Sequence, residues 1–354
     1  MLQILRHIAA SIYGSVLRVR HWLFDAKILR SKSYDIPIIC VGNITVGGTG
    51  KTPTVEMLVR HYSQKYNVAV LSRGFGRKTK GYREVTEHDS YLKVGDEPLQ
   101  IKRKFPQVRV VVCEKRTRGV ERIIADFPEV NLIIMDDGFQ HRHIKPLINI
   151  ITVENSRPVQ EDKLLPLGTL RDTLSSLLRA HYFIVTKCPE NMQGRDMMIH
   201  RTWLKTKASQ QVYYSRMQVV EAAPVFSGVE GRIEPGGEVI AMSGIGNAKS
   251  FYDSVAKRYK VVGKLEFKDH HIYRMGDLKT MRRALDKHPN AVILMTEKDA
   301  IKLFNAQSVP EDLRSRMFFE TIQMQLFDNV ELFENIDSIL KYNNHKNGAL
   351  IFGS

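Results

Sequence analysis

The sequence predicts an α/β chain: a P-loop NTPase-type, mostly parallel sheet with flanking helices, then a smaller C-terminal α/β domain, with an N-terminal amphipathic helix in front. Three observations predict it. Apolar β-rich runs alternate with helical patterns from PIICV (37–41) through NVAVLS, VRVVVC, NLIIM and INIITV to YFIVT (182–186), as expected of a sheet covered by helices. The first run leads into a glycine-rich turn ending in Gly-Lys-Thr and then a helical pattern. A shorter alternation of EVIAMSG, a helix from about Ala248, YKVVGKLEF and AVILMT follows extended segments and turns near 205–235. The expected division is 1–32 for the first helix, 33–210 for the P-loop domain, 211–235 for a strand-rich connector and 236–354 for the C-terminal domain. A chain of 354 residues exceeds what one core usually serves.

In the first helix, Leu5, Ile8, Ile12, Val16 and Val19 recur three or four residues apart as an apolar stripe. Residues 1–32 hold six Lys or Arg and one Asp, and the uncharged run from Ile8 to Leu17 is ten residues. That is about half of the ~20 needed to span a bilayer. No small-residue cleavage site follows, so a signal peptide does not fit. Two placements remain. The helix lies in a membrane interface, with Arg6, Arg18 and Arg20 near headgroups and Trp22 at the boundary, or its stripe packs on the domain's own core.

The stretch TVGGTGKT (45–52) is the chemical centre. A phosphate-binding loop needs glycines so that backbone N–H groups turn inward around an anion. Thr45, Val46, Gly47, Gly48, Thr49, Gly50, Lys51 and Thr52 form the expected nucleotide cradle. Lys51 reaches the β- and γ-phosphates and Thr52 ligates Mg²⁺. The first position of the usual G-x-x-x-x-G-K-[ST] pattern is Thr45 here. Pro53 suits a first helical turn, and Val55, Leu58, Val59 and Tyr62 are the expected buried face. A second carboxylate comes from NLIIMDDGFQH, where Asp136 ends an apolar strand as a metal-associated aspartate does.

Composition narrows the partners less sharply. The net charge is +15, which attracts nucleic acid, an anionic membrane or a phosphorylated substrate alike. No zinc-finger spacing or aromatic RNA-binding motif favours nucleic acid. Cys40, Cys113 and Cys188 are far apart with no CxxC pair, and read as reduced core thiols.

The blocks VGNITVGGTGKTP, SRGFGR (72–77), VGDEP (94–98), DDGFQHR (136–142), LLPLGTLRD (164–172), DHHIY (269–273) and TEKDA (296–300) occur in this order. Together they resemble the tetraacyldisaccharide 4′-kinase family of lipid A biosynthesis. The resemblance implies ATP- and Mg²⁺-dependent transfer of the γ-phosphate to the 4′-hydroxyl of a tetraacylated glucosamine disaccharide 1-phosphate, forming lipid IVA. It also implies a monotopic protein on the cytoplasmic face of an inner membrane, which gives the first helix and the positive charge a use. By the same resemblance, Asp96 is the base and His270 assists it, while Glu97 orients the base or a metal water. His271, absent from the usual pattern, stands next to His270, and only one of two neighbours faces a site.

Asp137, Gln140 and His141 are expected to line the same cleft, and Arg171 to neutralise the transferring phosphoryl group. Asp172 replaces the family's Glu and is one methylene shorter as a metal ligand. Leu170, Leu174, Leu177 and Leu178 are read as the buried stripe of a helix there. Arg73, Arg77 and Arg116 lie beyond strand ends, where such sheets bind ligands, and are expected to meet substrate or ATP phosphates. TEKDA is read as contributing to the nucleotide side or to domain closure. The alternative function is a P-loop ATPase or GTPase switch. The guanine-reading N-K-x-D segment it wants lacks its Asn in both VTKCP (185–189) and TEKDA.

Overall fold

The computed structural model describes residues 1–246, 248–269, 271–304 and 309–351. Its strands are β1 (Ile38–Gly42), β2 (Val68–Ser72), β3 (Arg83–Glu84), β4 (Arg109–Val112), β5 (Leu132–Met135) and β6 (Ile148–Glu154), then β7 (Tyr182–Thr186), β8 (Gln211–Pro224), β9 (Glu238–Ser243), β10 (Lys260–Glu266), β11 (Val292–Thr296) and β12 (Met317–Leu326). The helices are α1 (Leu2–Asp25), α2 (Lys51–Tyr62), α3 (Tyr91–Val94), α4 (Asp96–Lys104), α5 (Arg116–Asp126) and α6 (Gly194–Leu204), then α7 (Lys249–Ala256), α8 (Met275–Lys287), α9 (Glu297–Leu303), α10 (Glu311–Arg314) and α11 (Asn329–Ile351).

Among the described residues the strands form one sheet in the order β10-β9-β11-β12-β8-β7-β6-β1-β5-β2-β4-β3. Pairing is parallel except where β12 meets β8 and β3 meets β4. The stretch 211–235 contains β8, whose first residues pair with β7 and whose remainder pairs with β12. Hydrogen bonding therefore runs unbroken from the phosphate-loop half into the C-terminal half.

The central strands are buried on both faces, which is why they read as continuous apolar runs. Ile39 and Val41 join a core with Val55, Leu58, Val59 and Tyr62 of α2, as the helical periodicity predicts. Ile38 and Cys40 point the other way, into a core with Leu71, Ile133 and Phe139. All three cysteines are free and buried. The leucine stripe after Arg171 differs from expectation. Residues Leu174–Arg179 form a short 3-10 turn, and while Leu170 and Leu177 are buried, Leu174 and Leu178 are exposed. A three-residue turn does not keep a stripe of 3.6-residue period on one side.

The first helix also resolves its two placements. Leu5, Ile8, Ile12, Val16 and Val19 are each 51–60% exposed, so the apolar stripe does not pack on the domain core. The opposite side, Ala10, Gly14, Leu17, His21 and Phe24, is the buried one. No helix among the described residues is long and apolar enough to cross a membrane.

Parallel pairing brings the carboxyl ends of β1, β5, β2 and β4 to one edge. In register, Cys40 faces Met135 and Leu71 faces Met135 from the other side. The backbones are close there, since a Cβ added to Gly42 would sit 2.5 Å from Phe139 Cβ and 3.1 Å from its N. Gly42→Ala is expected to lower unfolding free energy by about 1–3 kcal/mol, read from denaturant titration. A change below 0.5 kcal/mol, roughly the level of a neutral surface substitution, would show that this approach is not tight.

Candidate active site

The turn from β1 to α2 is built on positive φ angles, Gly47 at 99° and Gly50 at 83°, which glycine adopts without the penalty a side chain brings. Its base is pinned from below. Asn43 Nδ2 donates to Thr49 Oγ1 at 2.7 Å, Thr49 Oγ1 lies 2.8 Å from Thr152 Oγ1, and Thr186 Oγ1 donates to Thr49 O at 2.9 Å. Arg157 braces the outer side, donating to Thr45 Oγ1 at 3.1 Å and Val46 O at 3.0 Å. Val46, Gly47 and Gly48 stay exposed. A rigid base with an open glycine crest before a helix N-terminus is an anion cradle.

Opposite the cradle, β5 ends in two acids whose side chains diverge, because Asp137 takes a left-handed φ of 47°. Asp136 turns inward and accepts from Ser72 Oγ at 2.9 Å, while its Oδ1 is buried without a hydrogen-bond partner among the described residues. Asp137 faces Lys51, 3.9 Å from Nζ, and is clamped by Arg171, whose Nη1 donates to Oδ2 at 3.0 Å and whose Nη2 donates to Oδ1. Arg171 Nη2 also donates to Asn43 Oδ1, and Gln140 Nε2 donates to Asn43 O at 2.7 Å.

The two acids titrate apart. Burial raises Asp136, and the charge of Asp137 adds to it against Ser72, Lys51 and Arg116. Burial works against the Asp137 charge too, but the Arg171 hydrogen bonds and the charges of Lys51, Arg171 and Arg116 outweigh it and lower its pKa.

A second acid pair approaches from α4. Gly95, with φ of 97°, ends α3 and starts α4, so VGDEP opens a helix, with Asp96 buried at its first position. Lys298 of TEKDA lies 3.8 Å from both Asp96 Oδ2 and Glu97 Oε1. Glu97 keeps a third of its side chain exposed, yet its carboxyl is pushed up to about 7 by desolvation in the cleft and by Asp136, with Lys298 opposing. At the other end of α4, Lys104 Nζ donates to Glu56 Oε2 of α2 at 2.7 Å and to Glu297 Oε2 of α9 at 2.8 Å. Neighbouring residues Glu297 and Lys298 thus grip both ends of α4, tying the phosphate-loop helix, the acid pair and the C-terminal half together.

Other expected site residues scatter. Arg73 is exposed at the end of β2. The Arg77 side chain is buried, donating to Glu114 Oε1 and Gly81 O at 2.6 Å each, so it shapes its own loop. Arg116 is buried behind the acids, donating to Cys113 O at 2.5 Å and Asp136 O at 3.3 Å. His141 is held neutral, its pKa lowered to about 4 by desolvation and by Arg116, Arg73 and Arg20 against Asp137. Asp172, expected as a metal ligand, does not join Asp136 and Asp137. Fully buried, it accepts at Oδ1 from His21 Nε2 (2.6 Å) and from Thr173 N (2.8 Å), facing α1. His270 lies outside the described residues. His271 is engaged elsewhere, 3.0 Å from Asp277 Oδ2 and stacked on Phe267. Asn43, Arg157, Lys104 and Lys298 are the site-building residues that motif reading passed over. Asn43 belongs to VGNITVGGTGKTP and Lys298 to TEKDA, whereas Arg157 and Lys104 carry no local signal.

The model of one protein family, described as tetraacyldisaccharide-1-P 4′-kinase, matches residues 2–341. The chain belongs to this family. A tetraacyldisaccharide 4′-kinase of Parabacteroides distasonis is 39% identical over 317 residues, covering 87% of this chain and 86% of that one. One from Porphyromonas gingivalis is 36% identical over 349 residues, covering 95% and 96%. A crystal structure of LpxK from Aquifex aeolicus, described as an apo form in complex with ATP, superposes with a TM-score of 0.76 at 27% identity, covering 96% of this chain and all of that one. The kinase-family membership and the P-loop-type α/β fold are thereby established together, and the switch reading is set aside.

Glu297 supplies a pH test of the α4 grip. Its carboxyl is pushed from the ordinary 4.5 up to about 7 by desolvation and by Glu56, with Lys104 opposing. A raised acid makes the folded chain bind more protons than the unfolded one, so stability falls as pH rises between those values. Relative to wild type, Glu297→Gln is expected to gain melting temperature between pH 5 and pH 8. An unchanged difference would show that Glu297 titrates normally.

Proposed function

We propose that this chain transfers the γ-phosphate of ATP to the 4′-hydroxyl of a tetraacylated glucosamine disaccharide 1-phosphate, forming lipid IVA at the cytoplasmic face of the inner membrane. The observation that carries the reading is the open glycine cradle facing Lys51 and the Arg171-clamped Asp137, in a chain of the 4′-kinase family. Lys51 and the loop amides hold the triphosphate, and Arg171 offsets charge on the phosphoryl group in flight. Asp96 accepts the sugar hydroxyl proton, with Lys298 Nζ lying 3.8 Å from its Oδ2. His270 as its assistant stays an expectation of the resemblance. Segment 33–210 carries the nucleotide, and 236–354 brings Lys298 to it across 211–235.

The residues fit Mg²⁺: Asp136 Oδ1 is a buried carboxylate oxygen lacking a partner among the described residues, and Thr52 is the second residue of α2, at the end of the cradle. When bound there, the ion neutralises phosphate charge during transfer. Arg73, exposed at the end of β2, and His141, whose ring feels the charges of Asp137 and Arg73, are read as meeting the substrate's phosphate. The exposed stripe of α1, with Trp22, suits a helix lying in the membrane interface beside Arg6 and Arg18.

Three measurements check this. With γ-labelled ATP and the acylated disaccharide 1-phosphate in detergent, label is expected in lipid, and label only in free phosphate would refute the kinase. Lys51→Ala is expected to abolish transfer, and Asp96→Ala to lower kcat about 100-fold or more with ATP affinity unchanged; normal turnover in either removes that assignment. A chain starting at residue 33 is expected to lose liposome binding, and retained binding would overturn the interfacial role of α1.

A further inference from the structure

The inner side of α1 does more than fill a core. Tyr13 Oη donates to Arg171 O at 2.8 Å, Arg20 Nη2 donates to Gln140 O at 2.6 Å, and His21 Nε2 lies 2.6 Å from Asp172 Oδ1. Each contact lands on a residue that lines the phosphoryl site or directly follows one. The histidine tautomer is decided by its other nitrogen. Arg142 Nη1 lies 3.0 Å from His21 Nδ1, and a guanidinium only donates. Nδ1 therefore accepts, and Nε2 carries the proton given to Asp172. Arg142 also donates to His21 O at 3.1 Å and Asp25 Oδ1 at 2.6 Å, closing the joint from behind.

The backbone at 171–172 is thus held from two directions. Arg171 N donates to Ile44 O, just before the phosphate loop, at 2.8 Å, while Arg171 O and the Asp172 carboxylate are held by α1. We infer that α1 is a positioning element of the phosphoryl site: the Arg142–His21–Asp172 joint and Tyr13 set the backbone from which Arg171 reaches Asp137 and Asn43. His21, Tyr13 and Asp172 act through Arg171 and touch no reacting atom. The inference rests on Arg171 acting at the transferring phosphoryl group. One helix then faces the lipid with its outer side and aligns the catalytic arginine with its inner side.

The test is steady-state kinetics of the full chain with ATP and the acylated disaccharide 1-phosphate, alongside liposome flotation. His21→Ala is expected to lower kcat roughly tenfold or more, with lipid KM and flotation unchanged. His21→Gln, whose amide donates to Asp172 and accepts from Arg142, is expected to recover most of the loss. In an Arg171→Lys background, His21→Ala is expected to change kcat by less than about twofold, since the two act as one unit. Full kcat in His21→Ala, no recovery in His21→Gln, or an undiminished effect beside Arg171→Lys would each overturn the inference. Should His21→Ala not fold, Tyr13→Phe removes only the bond to Arg171 O, and an unchanged kcat there overturns it equally. Absence of lipid phosphorylation by the wild type would instead refute the kinase reading itself.

Discussion

Two neighbouring carboxylates at the end of β5 have to share one cleft with a lysine, and the surroundings must keep them from acting as a single repelling pair. Like charges at this spacing cannot both ionise unless something else compensates. The solution is a division of labour. Asp137 is turned by its left-handed backbone toward Arg171 and Lys51, which hold it ionised. Asp136 is turned toward Ser72 and the sheet, where burial holds its proton more tightly. The result is one fixed negative charge facing the cradle and one carboxylate oxygen in reserve.

That division depends on long-range architecture. Arg171 arrives on a segment that pairs with the phosphate loop on one side and α1 on the other. Ser72 comes from β2 and the behind-lying Arg116 from α5, both at the same edge because the central strands run parallel. The second acid pair depends on the opposite half of the chain, since Lys298 and Glu297 reach α4 from α9. The phosphate loop, the acids and the C-terminal half form one electrostatic assembly, and its buried members pair with partners far away in sequence.

The fold was legible where hydrophobic patterning is loud. The runs at 38–41 and 132–135 and the buried face of α2 read directly as strand and helix, because burial on both sides of a parallel sheet leaves an unbroken apolar signal. The site was legible in part because Lys51, Asp136 and Asp137 belong to local turns with a recognisable purpose. What could not be read was direction. The apolar stripe of α1 fitted a membrane interface or a core, and the side that is buried holds Gly14 and His21, residues that hydropathy does not weight. Arg77 and Arg116 sit where ligand-binding arginines sit, yet each is satisfied by its own neighbours. Asp172 follows Arg171 in sequence, but the chain bends at these residues, so Arg171 reaches Asp137 while the Asp172 carboxylate faces His21 of α1. Lys104 gives no sign in the sequence that it joins α2 to α9.

The central claim is geometric, so structure determination with a bound nucleotide tests it most directly. With a non-hydrolysable ATP analogue and Mg²⁺, the account predicts the β- and γ-phosphates inside the turn at Gly47–Thr52, and the ion about 2.1 Å from Asp136 Oδ1 or Thr52 Oγ1. A nucleotide bound away from this turn, or a metal held by other residues while Asp136 stays turned to Ser72 alone, would contradict it.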